Sequence, residues 1–178
     1  EMKYSEEIDF IVAHKTRNNF ITNLALSCKG NTLVLFNLVE KHGKVLFELI
    51  KQKNKDKKLF FVSGEIPAEA REKIRSISEA NNDVLIVASY GTFSTGVSIK
   101  NLHNVIFASP SKSRIRNLQS IGRALRKNSN KEVAILYDIA DDISYKKYKN
   151  FTLQHFLERV KIYNEEKFRH KIYQVKLW

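Results

Sequence analysis

One cysteine, two prolines, six glycines and one tryptophan in 178 residues exclude several architectures. The lone Cys28 cannot close an internal disulfide. His14, His42, His103, His155 and His170 show no paired ligand spacing, so neither a disulfide scaffold nor a zinc site is expected. The scarcity of proline and glycine argues against a disordered chain, and the scarcity of cysteine suits a reducing compartment such as the cytoplasm. No apolar run approaches the roughly 18 residues of a membrane span, and no charged-then-apolar leader opens the chain. The start, Glu1 followed by Met2, is compatible with a piece of a longer protein. Two chemical motifs are also missing. There is no Gly-x-x-x-x-Gly-Lys-[Ser/Thr] loop to cradle phosphates and no Asp-Glu pair after an apolar strand to hold magnesium, so the chain alone is expected not to hydrolyse a nucleoside triphosphate.

What is present is an apolar fraction of 43%, enough for one substantial core, and a large excess of positive charge. Lys and Arg number 31 against 19 Asp and Glu, a net charge of +12. Such an excess favours a polyanionic partner through attraction and counterion release, with nucleic acid the leading candidate; solubility alone is the competing explanation. The densest run, Lys51, Lys53, Lys55, Lys57 and Lys58, reads as a solvated loop between a helix and a strand.

Along the chain, helical and strand patterns alternate. Ile21, Leu24, Ala25 and Cys28 fall on one helix face, with Thr16 or Asn18 as candidate caps. Apolar runs with little alternation follow at Thr32 to Phe36, Leu59 to Val62, Val84 to Ala88, Val105 to Ala108 and Val133 to Tyr137. Strands covered on both faces read this way, as parallel sheets require. Crossover helices are expected through Val45, Leu46, Leu49 and Ile50, and from Pro67 through Ala70, Ile74 and Ile77. The pattern predicts an α/β fold in which ligands sit beyond the carboxyl ends of the strands. After the last strand, Leu153, Phe156, Leu157, Val160 and Tyr163 predict an amphipathic helix, and Ile172 to Trp178 a terminal strand or packing arm. We divide the chain into a main unit, 1–150, and a C-terminal helix with a packed arm, 151–178.

The most informative stretch is Lys112 to Lys127. At 3.6 residues per turn, Ile115, Leu118, Ile121 and Leu125 share one face, while Lys112, Arg116, Gln119, Arg123 and Arg126 form a stripe beside it. One face packs and the other binds anions. Gly122, in a helix interior, suggests close approach of a backbone or ligand.

The order of motifs adds a family resemblance. Gln119-x-x-Gly122-Arg123-x-x-Arg126 resembles motif VI of superfamily 2 helicases. Val87-Ala88-Ser89 with Thr95-Gly96-Val97-Ser98-Ile99 is similar to motif V, and Thr32 to Asn37 to motif IV. Phe61-Val62-Ser63-Gly64 fits the strand and turn between them, and all occur in family order. The resemblance implies a second RecA-like motor domain: a three-layer unit with a mostly parallel sheet, helices on both faces and a C-terminal helical appendage.

By that resemblance, Arg126 and Arg123 act as arginine fingers toward the triphosphate of ATP with Mg2+. The nucleotide would lie in the cleft shared with a first RecA-like domain, with Gly96, Ser98 and Gln119 beside it. Many relatives carry an acidic residue where this chain has Ser98. Ser63, Gly64, Ser89 and Thr92 match contacts to a nucleic-acid backbone, although each alone also fits plain turn chemistry. Tyr90 and Phe93 are expected to pack rather than to stack on bases. The implied activity is that of a phage helicase or translocase in the host cytoplasm. It would act on branched or forked DNA, or RNA–DNA hybrids, in recombination, repair or replication. A stand-alone basic binding module and a nucleotide-dependent sugar transferase are the alternatives.

Overall fold

The apolar runs form the sheet. In the computed structural model, which describes residues 2–94, 99, 101–110 and 134–177, five strands are found. They are β1 (Thr32–Phe36), β2 (Lys58–Val62), β3 (Val84–Ser89), β4 (Asn104–Phe107) and β5 (Ile135–Asp138). The order is β2-β3-β1-β4-β5 and every pairing is parallel. All residues of β1 and β4 are buried, whereas the edge strands β2 and β5 are only partly covered. This difference explains why the central runs read as uninterrupted apolar segments.

Successive residues point to opposite faces and meet two helical layers. Leu33, Leu35, Ile86, Ala88, Val105 and Phe107 share a core with Ile74 and Ile77 of α4 (Ala68–Ala80) and with Val160 and Tyr163 of α6 (Phe151–Glu165). On the other face, Val34, Phe36, Leu85, Val87 and Ile106 pack against Ile21 and Ala25 of α2 (Lys15–Ser27) and Leu46 and Ile50 of α3 (Lys44–Lys53). Cys28, just past α2, is buried in the same cluster as expected. A fully buried aliphatic side chain such as Leu33, Val34 or Ile21 contributes on the order of 2 kcal/mol by leaving water. The result is the expected three-layer RecA-like arrangement. No helix among the described residues is long and apolar enough to cross a membrane.

Several local expectations need correction. The cap of α2 is His14, whose side chain accepts a hydrogen bond from the Arg17 N–H at 3.2 Å. Asn18 lies within the helix, buried; its amide donates to the Val12 carbonyl at 2.8 Å and its Oδ1 lies 3.2 Å from His42 Nε2, so a tertiary contact takes the oxygen proposed as a cap. The chain also opens with a helix not anticipated, α1 (Tyr4–Ala13), and α3 is preceded by a π-helical turn, Val39–Gly43. A Cβ on Gly43 would run into the Phe36 ring, which explains a glycine at the head of a helix. Lys51 and Lys53 belong to the last turn of α3 and Lys58 starts β2, so the basic run is only partly loop. No strand forms at 171–177, where Ile172 and Tyr173 are 60% and 77% exposed.

Candidate nucleotide and nucleic-acid interface

In a parallel sheet all carboxyl ends lie along one edge, and the register decides which loops become neighbours. Val62 pairs with Ala88 and Phe36 with Ser89, so Ser63, Ser89 and Asn37 stand in a row along that edge. Ser109, just beyond β4, extends the row: its hydroxyl accepts the Asn37 N–H at 3.1 Å. Four strands thus deliver small polar groups to one rim.

Each turn there has its own local cause. Ser89 begins the short helix α5 (Tyr90–Ser94), with its hydroxyl 2.7 Å from the Thr92 hydroxyl and accepting the Thr92 N–H at 3.4 Å. Ser63 closes a turn in which its carbonyl accepts the Ile66 N–H at 3.2 Å. Ser63 and Thr92 are buried, 3% and 4% exposed, and the Thr92 hydroxyl is engaged with Ser89 within its turn. Gly64 is exposed and nothing lies within 4 Å of where a Cβ would sit. The open surface at this point is therefore glycine backbone. Tyr90 packs, as expected: its ring lies 5.7 Å from that of Phe107 and its hydroxyl donates to the Ser109 carbonyl at 3.3 Å. The Phe93 side chain lies outside the described residues, as do Gly96, Ser98, Gln119, Gly122, Arg123 and Arg126.

Behind the rim runs a buried polar chain that sequence reasoning missed. The Ser109 hydroxyl is 2.7 Å from His42 Nδ1, and His42 Nε2 is 3.2 Å from Asn18 Oδ1. Because Asn18 Oδ1 can only accept, the neutral imidazole donates from Nε2, and Nδ1 accepts the Ser109 hydroxyl proton. Burial, with the nearby Arg17 charge, pushes the His42 pKa down to about 3, so the ring is neutral. This chain ties the π-helical turn and α2 to the loop after β4. Ser109 and Pro110 are the last described residues before the stretch holding Gln119, Arg123 and Arg126.

The acidic residues at the end of β5 and just after it have structural partners. Asp141 accepts from Arg17 Nε at 2.6 Å and Nη2 at 2.9 Å, both residues being buried. Asp138 accepts from Arg159 at 2.7 and 2.8 Å and from the Tyr163 hydroxyl at 2.6 Å. Burial, then the charge of Asp138, pushes the Tyr163 phenol far above its usual range. Among the described residues no three His, Cys, Asp or Glu side chains gather as a metal site. Hydroxyls and backbone amides of this kind can donate hydrogen bonds to an anion.

Residues 16–128 match the helicase conserved C-terminal domain. The chain belongs to this helicase family. It is also 40% identical over 187 residues to the ATP-dependent DNA helicase uvsW of Enterobacteria phage T4, an alignment covering 98% of this chain and 37% of that protein. The chain therefore spans well under half the length of that relative. The crystal structure of T4 UvsW superimposes with a TM-score of 0.83 at 39% identity, covering 99% of this chain and 38% of that one. The C-terminal part of the Fun30 ATPase domain matches with a TM-score of 0.54 at 16% identity, covering 88% of this chain and 55% of that one, a likeness of fold alone. The helicase C-terminal domain match begins at the head of α2 and ends just past Arg126; α1, β5 and α6 lie outside it.

Proposed function

We propose that this helicase C-terminal domain is the second motor domain of an ATP-dependent DNA or RNA–DNA helicase or translocase. Its substrates would be branched or forked nucleic acids in recombination, repair or replication, and its setting a phage-infected cytoplasm. The observation that carries this reading is the 40% identity to the T4 helicase along 98% of the chain. Its partner is a first RecA-like domain of the same protein, which supplies the phosphate loop and the magnesium carboxylates absent here. Arg126 and Arg123 offer planar guanidinium forks to the ATP triphosphate from this side of the cleft, with Gly96, Ser98 and Gln119 adjoining. Ser63, Gly64, Ser89 and Thr92 form the nucleic-acid track. The exposed backbone at Gly64 supports that role more directly than the buried hydroxyls of Ser63 and Thr92. Residues 1–150 form the motor unit in this reading, and 151–178 its C-terminal extension.

The test compares the 178-residue chain with the complete protein in a steady-state ATPase assay, with and without DNA. The chain alone is expected to show no stimulated hydrolysis while the complete protein turns over. Hydrolysis by a clean preparation of the chain alone contradicts the proposal.

A further inference from the structure

Between β5 and α6 the chain makes a small hairpin whose side chains the fold does not use. Tyr145 N–H donates to the Tyr148 carbonyl at 3.1 Å and Tyr148 N–H to the Tyr145 carbonyl at 3.0 Å, closing a two-residue turn. Lys146 in that turn has φ of 54°, the left-handed region that L side chains seldom adopt. Tyr145 and Tyr148 are 71% and 79% exposed, and with Tyr173 they are the most exposed aromatic rings among the described residues. Lys146, Lys147 and Lys149 are exposed between and beside them, and the Lys146 ammonium sits 5.2 Å from the centre of the Tyr145 ring. Among the described residues no carboxylate lies within ion-pairing distance of these three lysines.

The base of this hairpin is held firmly. Asn150 accepts from Ile143 N–H at 3.1 Å and donates to the Asp141 carbonyl at 3.0 Å. Glu7 of α1, buried, accepts from Asn150 at 2.9 Å and from the N–H groups of Phe151 and Thr152 at 2.9 and 2.7 Å, capping α6 from another element. The Arg17–Asp141 pair anchors the segment leading in. A buried polar base thus presents two exposed rings and three exposed lysines to solvent, with Asp142 near enough to Lys149 to feel its charge. Ring faces accept unpaired bases whatever their sequence, and ammonium groups accept the phosphates between them. A protein-docking patch would be drier, with few lysines at its centre. The segment that carries the hairpin leaves the sheet at the carboxyl end of β5, the edge that also carries Ser89.

We infer that the Tyr145 to Lys149 hairpin is a contact site for single-stranded nucleic acid, with Tyr145 and Tyr148 stacking on bases and Lys146, Lys147 and Lys149 taking the flanking phosphates. The site lies outside the matched helicase segment and does not depend on the nucleotide chemistry proposed above. Fluorescence anisotropy of a labelled oligothymidylate at low salt tests it, using the 178-residue chain and a duplex of equal length as the second probe. Y145A/Y148A should weaken single-strand binding on the order of tenfold or more and leave duplex binding and the thermal midpoint unchanged. Y145F/Y148F should bind like the parent, because stacking needs the ring and not the hydroxyl. K147A should lower the slope of log affinity against log salt by about one. Equal single-strand affinity in Y145A/Y148A, equal losses on both probes, or no binding by the parent chain would overturn the inference. The ATPase comparison above is unaffected by any of these results.

Discussion

Removing the carboxylate of Asp141 is the sharpest test of how the two ends of this chain are joined. Arg17 is 1% exposed and Asp141 6%, and two hydrogen bonds at 2.6 and 2.9 Å join them across 124 positions of sequence. In D141A the guanidinium stays buried with both bonds lost, and Arg17 Nη1 already has no partner. Breaking one side of a buried pair costs about 3–5 kcal/mol. Against a total stability of roughly 5–15 kcal/mol, that is a large share. For a domain of this size it corresponds to a fall in Tm of about 6–20 °C, read by circular dichroism at fixed pH and salt. The double variant R17M/D141L, which removes both charges and keeps the volume, should recover at least half of the loss. A D141A chain melting within about 2 °C of the parent, or a double variant no better than D141A, would refute the reasoning.

Two further outcomes follow from the rim and the polar chain behind it. G64A should leave stability within about 0.5 kcal/mol, since its Cβ meets nothing, yet weaken nucleic-acid binding by the complete protein several-fold; unchanged binding would remove Gly64 from the track. His42 is held neutral, with its pKa lowered to about 3, so the folded state binds this proton less readily than the unfolded state. The stability it provides is present above the ordinary histidine pKa and is lost as pH falls toward the folded value. Between about pH 7 and about pH 5 this amounts to about 2 kcal/mol, visible as a lower urea midpoint and largely absent in H42Q.

The sheet was legible because both of its faces are covered: Thr32 to Phe36 and Val84 to Ala88 carry no polar alternation for the simple reason that no side of them meets water. Crossover helices were legible from the spacing of Ile74 and Ile77 and of Leu46 and Ile50. Buried charge was not. Glu7, Arg17, Asp138, Asp141 and Arg159 look like surface residues in sequence, and their partners lie up to 144 or 145 positions away, beyond any periodic signal. His42 was equally hidden, since nothing local announces that Asn18 and Ser109 converge on its two nitrogens. Asn18 shows the mechanism of such misses: a residue with good capping chemistry was taken by a tertiary bond. Of the candidate site, Ser63, Gly64, Ser89 and Thr92 do share one edge, through strand register that motif order alone does not specify. Motif order in turn carries Gln119, Arg123 and Arg126, which lie outside the described residues.

The central claim is that this domain contributes guanidinium groups to a nucleotide bound against a first motor domain. R126A in the complete protein tests it most directly, with DNA-stimulated ATP hydrolysis and DNA affinity measured on the same preparation. The account predicts that stimulated hydrolysis falls on the order of a thousandfold, the scale of an arginine finger, while most of the DNA binding is kept. Hydrolysis at the parental rate would contradict it.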